Sequence, residues 1–285
     1  MNTDAEFPGI NLVDNPFAVE ANIADGRNFY RLAEGGAEVM AEATNGTIQP
    51  MEAVFVYAEN HEETLIFSTE NNNEMAAGLV LNVSQGRGNV IDRAIIRFGE
   101  SRQLPKFQLN RNHTKLYIPQ NGKDYAVVNG GRDAARYVST IPVYFKAEKN
   151  DTYSLSLSRE NVEFSYLHLI DNLTGNDIDL LKTPNYTFDA RTTDYESRFK
   201  LVFVCGDAND DNDFAFYSNG NWIINNPSTG SESEATLQVI DITGRILKSE
   251  SINGCASISV NAAPGIYLFR LINGNDVKVQ KIVVK

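Results

Sequence analysis

The chain contains no long apolar segment. No run of hydrophobic residues approaches the ~20 positions that a membrane-spanning helix requires, so we expect no transmembrane segment. The opening residues, Met1 to Glu6, are polar and acidic and do not form a signal peptide as they stand. If the protein is exported, we expect its signal peptide, together with any upstream domains, to precede Met1.

Cysteine and histidine are both scarce. Cys205 and Cys255 are too few for a disulfide framework, and they fall in different predicted modules. We expect two unpaired thiols that pack as small hydrophobic side chains, with a bridge between the modules as the alternative. None of His61, His113 and His168 has a second His or Cys at metal-ligand spacing. For His168, on a predicted apolar strand face, we expect a packed side chain rather than a metal ligand.

Basic residues are fewer than acidic ones. The 25 Lys and Arg residues against 37 Asp and Glu residues give a net charge of -12. Because an acidic surface repels phosphate groups, we expect neither nucleic acid nor an anionic membrane surface as a partner. The sequence also has no Gly-x-Ser-x-Gly elbow and no glycine-rich phosphate loop. A candidate carboxylate pair, Asp177 and Asp179, is explained as a hairpin surface. We therefore predict that the chain is not an enzyme.

Alternation of apolar and polar residues is what the sequence has in abundance. In Tyr153 to Ser158 the alternation is perfect, and a period of two places the tyrosine and both leucines on one strand face. Similar short runs recur along the chain, separated by turn signals such as Asn121-Gly122. Many short strands with frequent turns predict an all-β protein of tandem antiparallel β-sandwich domains, immunoglobulin-like or jelly-roll-like.

Composition marks one clear boundary. Residues 206–213 contain four Asp and no apolar residue beyond Ala, which predicts an acidic linker. A weaker change in pattern falls near residue 138. We therefore predict a β-sandwich domain at 1–137, an immunoglobulin-like sandwich or a second part of the same domain at 138–205, the linker, and a C-terminal module at 214–285.

The linker also carries the one metal-like pattern of the chain. Four oxygen-bearing side chains stand at alternate positions, like the first ligands of a calcium loop. They are Asp207, Asn209, Asp211 and Asp213. However, Asn212 stands where such a loop has Gly, and Ser218 stands where it has a bidentate acid. We therefore expect a solvated linker without a cofactor, with Ca²⁺ as the alternative.

The C-terminal module contains several motifs in a defined order. A strand ends at Asp241 and is followed by Thr243-Gly244-Arg245. Next come Ala263-Pro264-Gly265-Ile266-Tyr267-Leu268, a hairpin at Asn273-Gly274-Asn275, and the basic-flanked strand Lys281 to Lys285. This order resembles the type A C-terminal sorting domain of the Bacteroidetes type IX secretion system, over about 70 residues. The resemblance implies that a translocon reads the folded module, and that a sortase then removes it and joins the cargo to surface lipid.

The resemblance also implies the location and the residues of the sorting site. The protein would be secreted or held at the outer-membrane cell surface. The corresponding motif residues are Asp241, Gly244, Arg245, Pro264, Gly265, Tyr267, Lys281 and Lys285. A Cβ at Gly265 would strain the turn if the φ of that residue is positive. Lys281 and Lys285 are the candidates for recognition, and protection of a sheet edge against aggregation is the alternative.

Two further expectations concern the last strand and the cargo. Val277 and Val279 have one parity and Ile282 and Val284 the other, so we expect a bulge or bend near Gln280-Lys281. Residues 1–205 resemble the β-sandwich cargo found before such sorting domains, a resemblance that implies no activity. The alternative function for this segment is a carbohydrate-binding or adhesion module, with glycans as partners.

Overall fold

The protein is described by a computed structural model over residues 8–33, 36, 38–43, 46–60, 62–70, 77–86, 88–99, 101–130, 139–205, 214–218, 221–226, 234–253, 255–259 and 263–284. Within these ranges the chain forms 24 strands and no helix, and strands account for 60% of it. The all-β prediction is confirmed. Accordingly, the described part of the chain has no helix long and apolar enough to cross a membrane.

The chain divides into two compact units. The first consists of Met1–Arg132, Ile141–Val162 and Leu169–Leu201, and the second of Asp133–Thr140, Glu163–His168 and Val202–Lys285. The domain boundaries predicted from composition, at 137/138 and over 206–213, fall on residues outside the described ranges. Those boundaries therefore stay predictions.

Among the described residues, seventeen strands precede the predicted linker, most of them short. In chain order they are β1 Ile10–Asp14, β2 Asn22–Ile23, β3 Phe29–Leu32, β4 Val39–Ala41, β5 Ala53–Tyr57, β6 Phe67–Ser68, β7 Gly78–Gln85, β8 Val90–Arg97, β9 Leu104–Pro105, β10 Lys115–Gln120, β11 Lys123–Asn129, β12 Ser139–Lys146, β13 Asp151–Glu160, β14 Phe164–Asp171, β15 Asn176–Asp179, β16 Asn185–Ala190 and β17 Phe199–Cys205.

Eleven of these strands form one large sheet. Its order is β15-β14-β17-β12-β10-β11-β8-β7-β13-β16, and β9 pairs with β11. β7 and β13 pair antiparallel over eight positions, from Gly78 facing Glu160 to Gln85 facing Tyr153. β8 and β11 run parallel, which departs from the purely antiparallel arrangement that the sequence predicts. The two smaller sheets have the orders β1-β5-β3-β4 and β2-β6.

Burial along the strands follows the sequence pattern. Leu79, Val80 and Leu81 in β7 are all buried. β7 is a central strand covered on both faces, and such strands have continuous apolar runs in the sequence. In β13, Tyr153 and Leu155 are buried while Ser154 between them is half-buried, as the alternation predicts, and Leu157 on the same face is half-buried. The two strands differ in pattern because β7 is covered on both faces, whereas β13 is covered mainly on one.

Tyr30 joins the four-stranded sheet to the large one within the first unit. It is fully buried in one apolar cluster with Val80, Ile95 and Val127 of the large sheet. Its Oη donates to the Pro105 carbonyl at 2.8 Å and accepts from the Phe107 amide at 3.0 Å. Sharing of one core by the inner faces of two sheets is the defining property of a β-sandwich.

The C-terminal part of the second unit is a smaller sandwich. Its strands are β18 Ala215–Ser218, β19 Asn221–Asn225, β20 Glu234–Asp241, β21 Ile246–Asn253, β22 Cys255–Ile258, β23 Gly265–Asn273 and β24 Asp276–Val284. They form sheets of order β18-β19-β22 and β21-β20-β23-β24. Trp222 of the first sheet packs 4.7 Å from Phe269 of the second, ring centroid to centroid, in a common core.

Candidate functional site

The turn after β20 is held by the carboxylate of Asp241. Its Oδ1 accepts hydrogen bonds from the Thr243 amide at 2.9 Å and the Arg245 amide at 3.0 Å. The Thr243 hydroxyl also donates to Oδ1, and this bond is the largest of the contributions that lower the pKa of Asp241. Gly244 completes the turn with a φ of +85°. The Asp-x-Thr-Gly-Arg order thus serves the local turn, as the sequence predicts.

A turn of the same design follows β14 in the first unit. Asp171 Oδ1 accepts from the Leu173 amide at 3.0 Å, and Gly175 has a φ of +78°. The two turns differ in burial: Asp171 is fully buried and pairs with Arg198, whereas Arg245, the partner of Asp241, is 75% exposed. Turn chemistry alone therefore does not identify a sorting motif, because it recurs where no such role is implied.

Tyr267 fixes the approach to β23. Its ring lies in the core, 9% exposed, and its Oη donates to the Ala263 carbonyl at 2.7 Å. Gly265 has a φ outside the left-handed region, and a Cβ there would meet Tyr267 atoms at an ordinary 3.7 Å. The condition for strain at Gly265 is therefore not met. Gly244, with its positive φ, is the motif glycine whose conformation an L side chain disfavours.

β24 is a regular strand, and the expected bulge near Gln280-Lys281 is wrong. Its register with β23 continues without a shift from Asn273 facing Asp276 to Gly265 facing Val284. Ile282 points into the core at 7% exposure, while Val277 and Val279 are 52% and 51% exposed. The expectation assumed that both pairs of apolar residues must be buried; instead, one parity of the strand lies outside.

Gln280 is a structural residue that the sequence reading missed. Its Oε1 accepts from the Phe214 amide at 2.8 Å and the Ala215 amide at 2.6 Å, and its Nε2 donates to the Ala215 carbonyl at 2.8 Å. The side chain thus joins β24 to the start of β18. Parity groups Gln280 with the inward-facing Ile282, but the sequence alone does not show which parity faces the core.

The exposed side of the β23–β24 hairpin forms a mixed apolar and basic surface, here called the outer face. Register places the exposed residues of the two strands opposite each other, Ile266 beside Val283 and Leu268 beside Lys281. Its members are Ile266, Leu268, Arg270, Val277, Val279, Lys281 and Val283. Lys285 lies outside the described residues. β24 is also the edge strand of its sheet, so its outer backbone groups are available for pairing.

Residues 218–285 match the family model described as secretion system C-terminal sorting domain. This segment is a type IX secretion sorting domain. No curated protein and no solved structure matches the chain. The sorting domain places the protein among those exported through the type IX system to the cell exterior, and it implies contact with the machinery of that system.

Among the described residues, the candidate metal ligands do not lie close together. Within the part of the chain that can be described, no group of three or more His, Cys, Asp or Glu is placed to hold a metal ion. His61 and the calcium-like run 206–213 lie outside that part, as do the side chains of Cys205 and Cys255. His168 stacks on Tyr166 with ring centroids 4.0 Å apart. The predictions about calcium and the two thiols therefore stay predictions.

The first unit contains an open cleft of about 700 Å³. Its charged side chains are held in place: Arg31 pairs with Glu42 and Glu52, and the Arg93 guanidinium donates to the Ala41 carbonyl at 2.9 Å. Burial lowers the pKa of Arg93. The cleft is lined by Arg31, Leu32, Ala33, Glu38, Met40, Ala41, Glu42, Gly88, Asn89, Val90, Ile91, Arg93 and His113. The described lining thus combines apolar and charged groups, with no Phe, Tyr or Trp.

Proposed function

We propose that the translocon reads the sorting domain through its outer face, and that a sortase then removes this domain and attaches the cargo to the cell surface. The outer face is the observation that supports this reading. Small folded domains seldom expose apolar side chains in a contiguous group without a partner for them. Val277, Val279 and Val283 are each more than half exposed, although the domain fills its own core without them.

The basic residues of the outer face favour a partner surface that carries acidic groups. Lys281 stands among the exposed valines, and Arg270 lies on the neighbouring strand, where its Nε donates to Gln238 Oε1 at 2.9 Å. Basic groups within an apolar surface match an apolar surface that carries carboxylates. We therefore expect the recognition surface of the translocon to be apolar with acidic groups.

The test is a reporter fused to residues 206–285 in a bacterial host with a type IX system. The fusion should reach the cell surface, and the fusion without residues 214–285 should stay in the periplasm. The triple variant Val277→Thr, Val279→Thr, Val283→Thr keeps β-branched side chains on β24 but removes much of its apolar surface. We expect this variant to stay in the periplasm.

A matched control separates recognition from folding. Ile246 is 49% exposed but lies on β21, at the opposite edge of the sheet from β24, so Ile246→Thr should leave export unchanged. Fluorescence of Trp222, the single tryptophan of the chain, should be native in every variant. Equal surface display of the reporter with and without the sorting domain would refute the proposal. Normal export of the triple variant would show that the translocon does not recognise the outer face.

For the remainder of the chain we propose a non-catalytic surface module. The support for this proposal is that its sequence contains no catalytic motif. A turnover that a single substitution within residues 1–205 abolishes would contradict the proposal.

The cleft of the first unit supports a second candidate, a ligand-binding or adhesion module. A volume of about 700 Å³ lies in the range of small-molecule sites. Its carboxylates and guanidinium groups would bond sugar hydroxyls, without an aromatic platform. A glycan array with the full chain tests this function. Leu32→Arg should block binding at the cleft, whereas Leu12→Arg, at a leucine of similar exposure (61% against 54%) outside the lining, should not.

A further inference from the structure

A second, smaller cavity in the first unit is surrounded by cations. It has a volume of about 180 Å³ and lies where the start of β10 meets the end of β12. It is lined by Lys106, Gln108, Arg111, Lys115, Lys146 and Glu196. Four basic side chains converge here with three carboxylates, Glu196 in the lining and Asp92 and Asp124 paired with Lys106 and Lys115, in a chain whose net charge is -12. The local charge is thus opposite in sign to that of the whole protein.

Strand register brings two of these cations together. Lys115 of β10 lies directly opposite Lys146 of β12 in the antiparallel pair. Residues in this relation project from the same face of the sheet, with Cβ atoms about 5 Å apart, and like charges there are destabilising. Lys115 Nζ pairs with Asp124 Oδ2 at 2.6 Å, which offsets part of this repulsion, and an anion beside the more exposed Lys146 ammonium would relieve the rest.

A third cation approaches from the interior. The Lys106 side chain is 2% exposed, and its Nζ lies 2.6 Å from both carboxylate oxygens of Asp92. Burial lowers the pKa of Lys106, Asp92 opposes this effect, and the charge of Lys115 lowers the pKa further. Lys106 thus lines the cavity as a buried cation that Asp92 pairs.

The neighbouring carboxylates are already engaged. Asp92 Oδ2 also accepts from the Leu116 amide at 2.6 Å. Glu196 Oε2 accepts from the Tyr117 phenol at 2.5 Å, while its Oε1 is 3.5 Å from Lys146 Nζ. That distance is longer than the 2.7–2.9 Å typical of a charge-assisted hydrogen bond. The Lys146 ammonium, with three donors, therefore has capacity for a further acceptor.

We propose that this cavity binds an oxyanion group: a carboxylate, sulfate or phosphate, either free or carried by an acidic sugar. Ammonium groups and a planar guanidinium are the side chains that best hold such oxygens. The cavity is smaller than the 300–1,000 Å³ of typical small-molecule sites, so it fits one acidic group rather than a whole large ligand. No residue that lines this cavity also lines the larger cleft or belongs to the sorting domain.

The test uses the full chain and four probes: inorganic phosphate, inorganic sulfate, sodium glucuronate, and glucose as the neutral control. Calorimetric titration at constant ionic strength should give saturable binding of at least one anion and none of glucose. Lys146→Gln, at a side chain that is 49% exposed, should weaken that binding roughly tenfold. Arg111→Gln tests a second lining residue in the same way. Lys182→Gln, whose side chain is 84% exposed and outside the lining, should bind like the wild type.

Thermal unfolding provides a second measurement. Sulfate and phosphate stabilise most proteins by exclusion from their surface. The informative quantity is therefore the rise in Tm that an anion causes in the wild type, minus the rise that the same anion concentration causes in Lys146→Gln. A positive difference supports the site. Binding of glucuronate alone indicates an acidic sugar, and binding of inorganic ions as well indicates a free-ion site. Absence of saturable binding for all three anions, or undiminished binding by both Lys146→Gln and Arg111→Gln, would overturn the proposal.

Discussion

Arg198 and Asp171 form an ion pair inside the first unit, with Nη2 2.9 Å from Oδ2 and no more than 2% of either side chain exposed. The guanidinium also donates to the Asp189 carbonyl at 2.7 Å and lies 4.5 Å from the centroid of the Phe188 ring. Both charges are therefore removed from water and depend on each other, because a buried charge without its partner is strongly unfavourable.

We predict that Asp171→Ala lowers the free energy of unfolding of the first unit by about 3 kcal/mol, since it leaves the buried Arg198 charge with only the Asp194 carboxylate, 3.7 Å from Nη1. The measurement is urea denaturation followed by far-UV circular dichroism. Lys182→Ala breaks the ion pair with Asp179 at a side chain that is 84% exposed, and should cost about 1 kcal/mol or less. Equal losses in the two variants would contradict the assigned difference in burial.

The same pair predicts a pH dependence. Burial raises the pKa of Asp171, but hydrogen bonds and charge from Arg198 outweigh it, so the net pKa lies below its ordinary value of 3.8. A lowered folded-state pKa gives stability that is present above the unfolded pKa and is lost as pH falls through the folded one. The difference in unfolding free energy between wild type and Asp171→Asn should be constant from pH 7 to about 5 and shrink below about pH 4. A difference that stays constant down to pH 3 would exclude this linkage.

Two glycines of the sorting motifs should respond differently to substitution. Gly244→Ala places an L side chain at a φ of +85° and should cost about 1–2 kcal/mol. Gly265→Ala meets only ordinary contacts and should change stability by no more than about 0.5 kcal/mol. Because Trp222 is the single tryptophan, its fluorescence in urea follows the sorting domain selectively. A larger loss at Gly265 than at Gly244 would reverse the assignment.

Gln280 should be important for stability despite its position on an edge strand. Gln280→Leu leaves the amides of Phe214 and Ala215 without their acceptor beside a buried core, and should cost about 1–3 kcal/mol. Val279→Thr, one position earlier on the exposed side, should stay within about 0.5 kcal/mol. The measurement is again Trp222 fluorescence in urea, and similar effects of the two substitutions would show that Gln280 does not join β24 to β18.

Sequence patterns correctly predicted the features that depend on neighbouring residues, namely strand alternation and turn hydrogen bonds. The alternation in β13 correctly indicated its buried face, and the Asp241 turn has the bonds that Asp, Thr and Gly favour in a turn. Parity did not reveal which face of β24 is covered, because coverage depends on another sheet. Arg198, at a polar position of an alternating run, gave no sign of being buried.

The basic cavity was beyond sequence reasoning for a similar reason. Lys115 and Lys146 are far apart along the chain, and only the register of β10 with β12 places them opposite each other. The same holds for Gln280, whose partners at Phe214 and Ala215 come from the other end of the sorting domain. Contacts between distant segments are decided by topology, which composition and periodicity do not encode.

The contrast between two strand pairings has a consequence for the order of folding. In the sorting domain, Asn273 pairs with Asp276 across a two-residue turn, whereas in the first unit Gly78 must find Glu160, 82 positions away. Closing a long loop costs more entropy than closing a short one, and folds rich in distant pairings form more slowly. We therefore expect the sorting domain to fold before the first unit does. The secretion machinery would then bind a folded sorting domain while the rest of the chain is not yet compact.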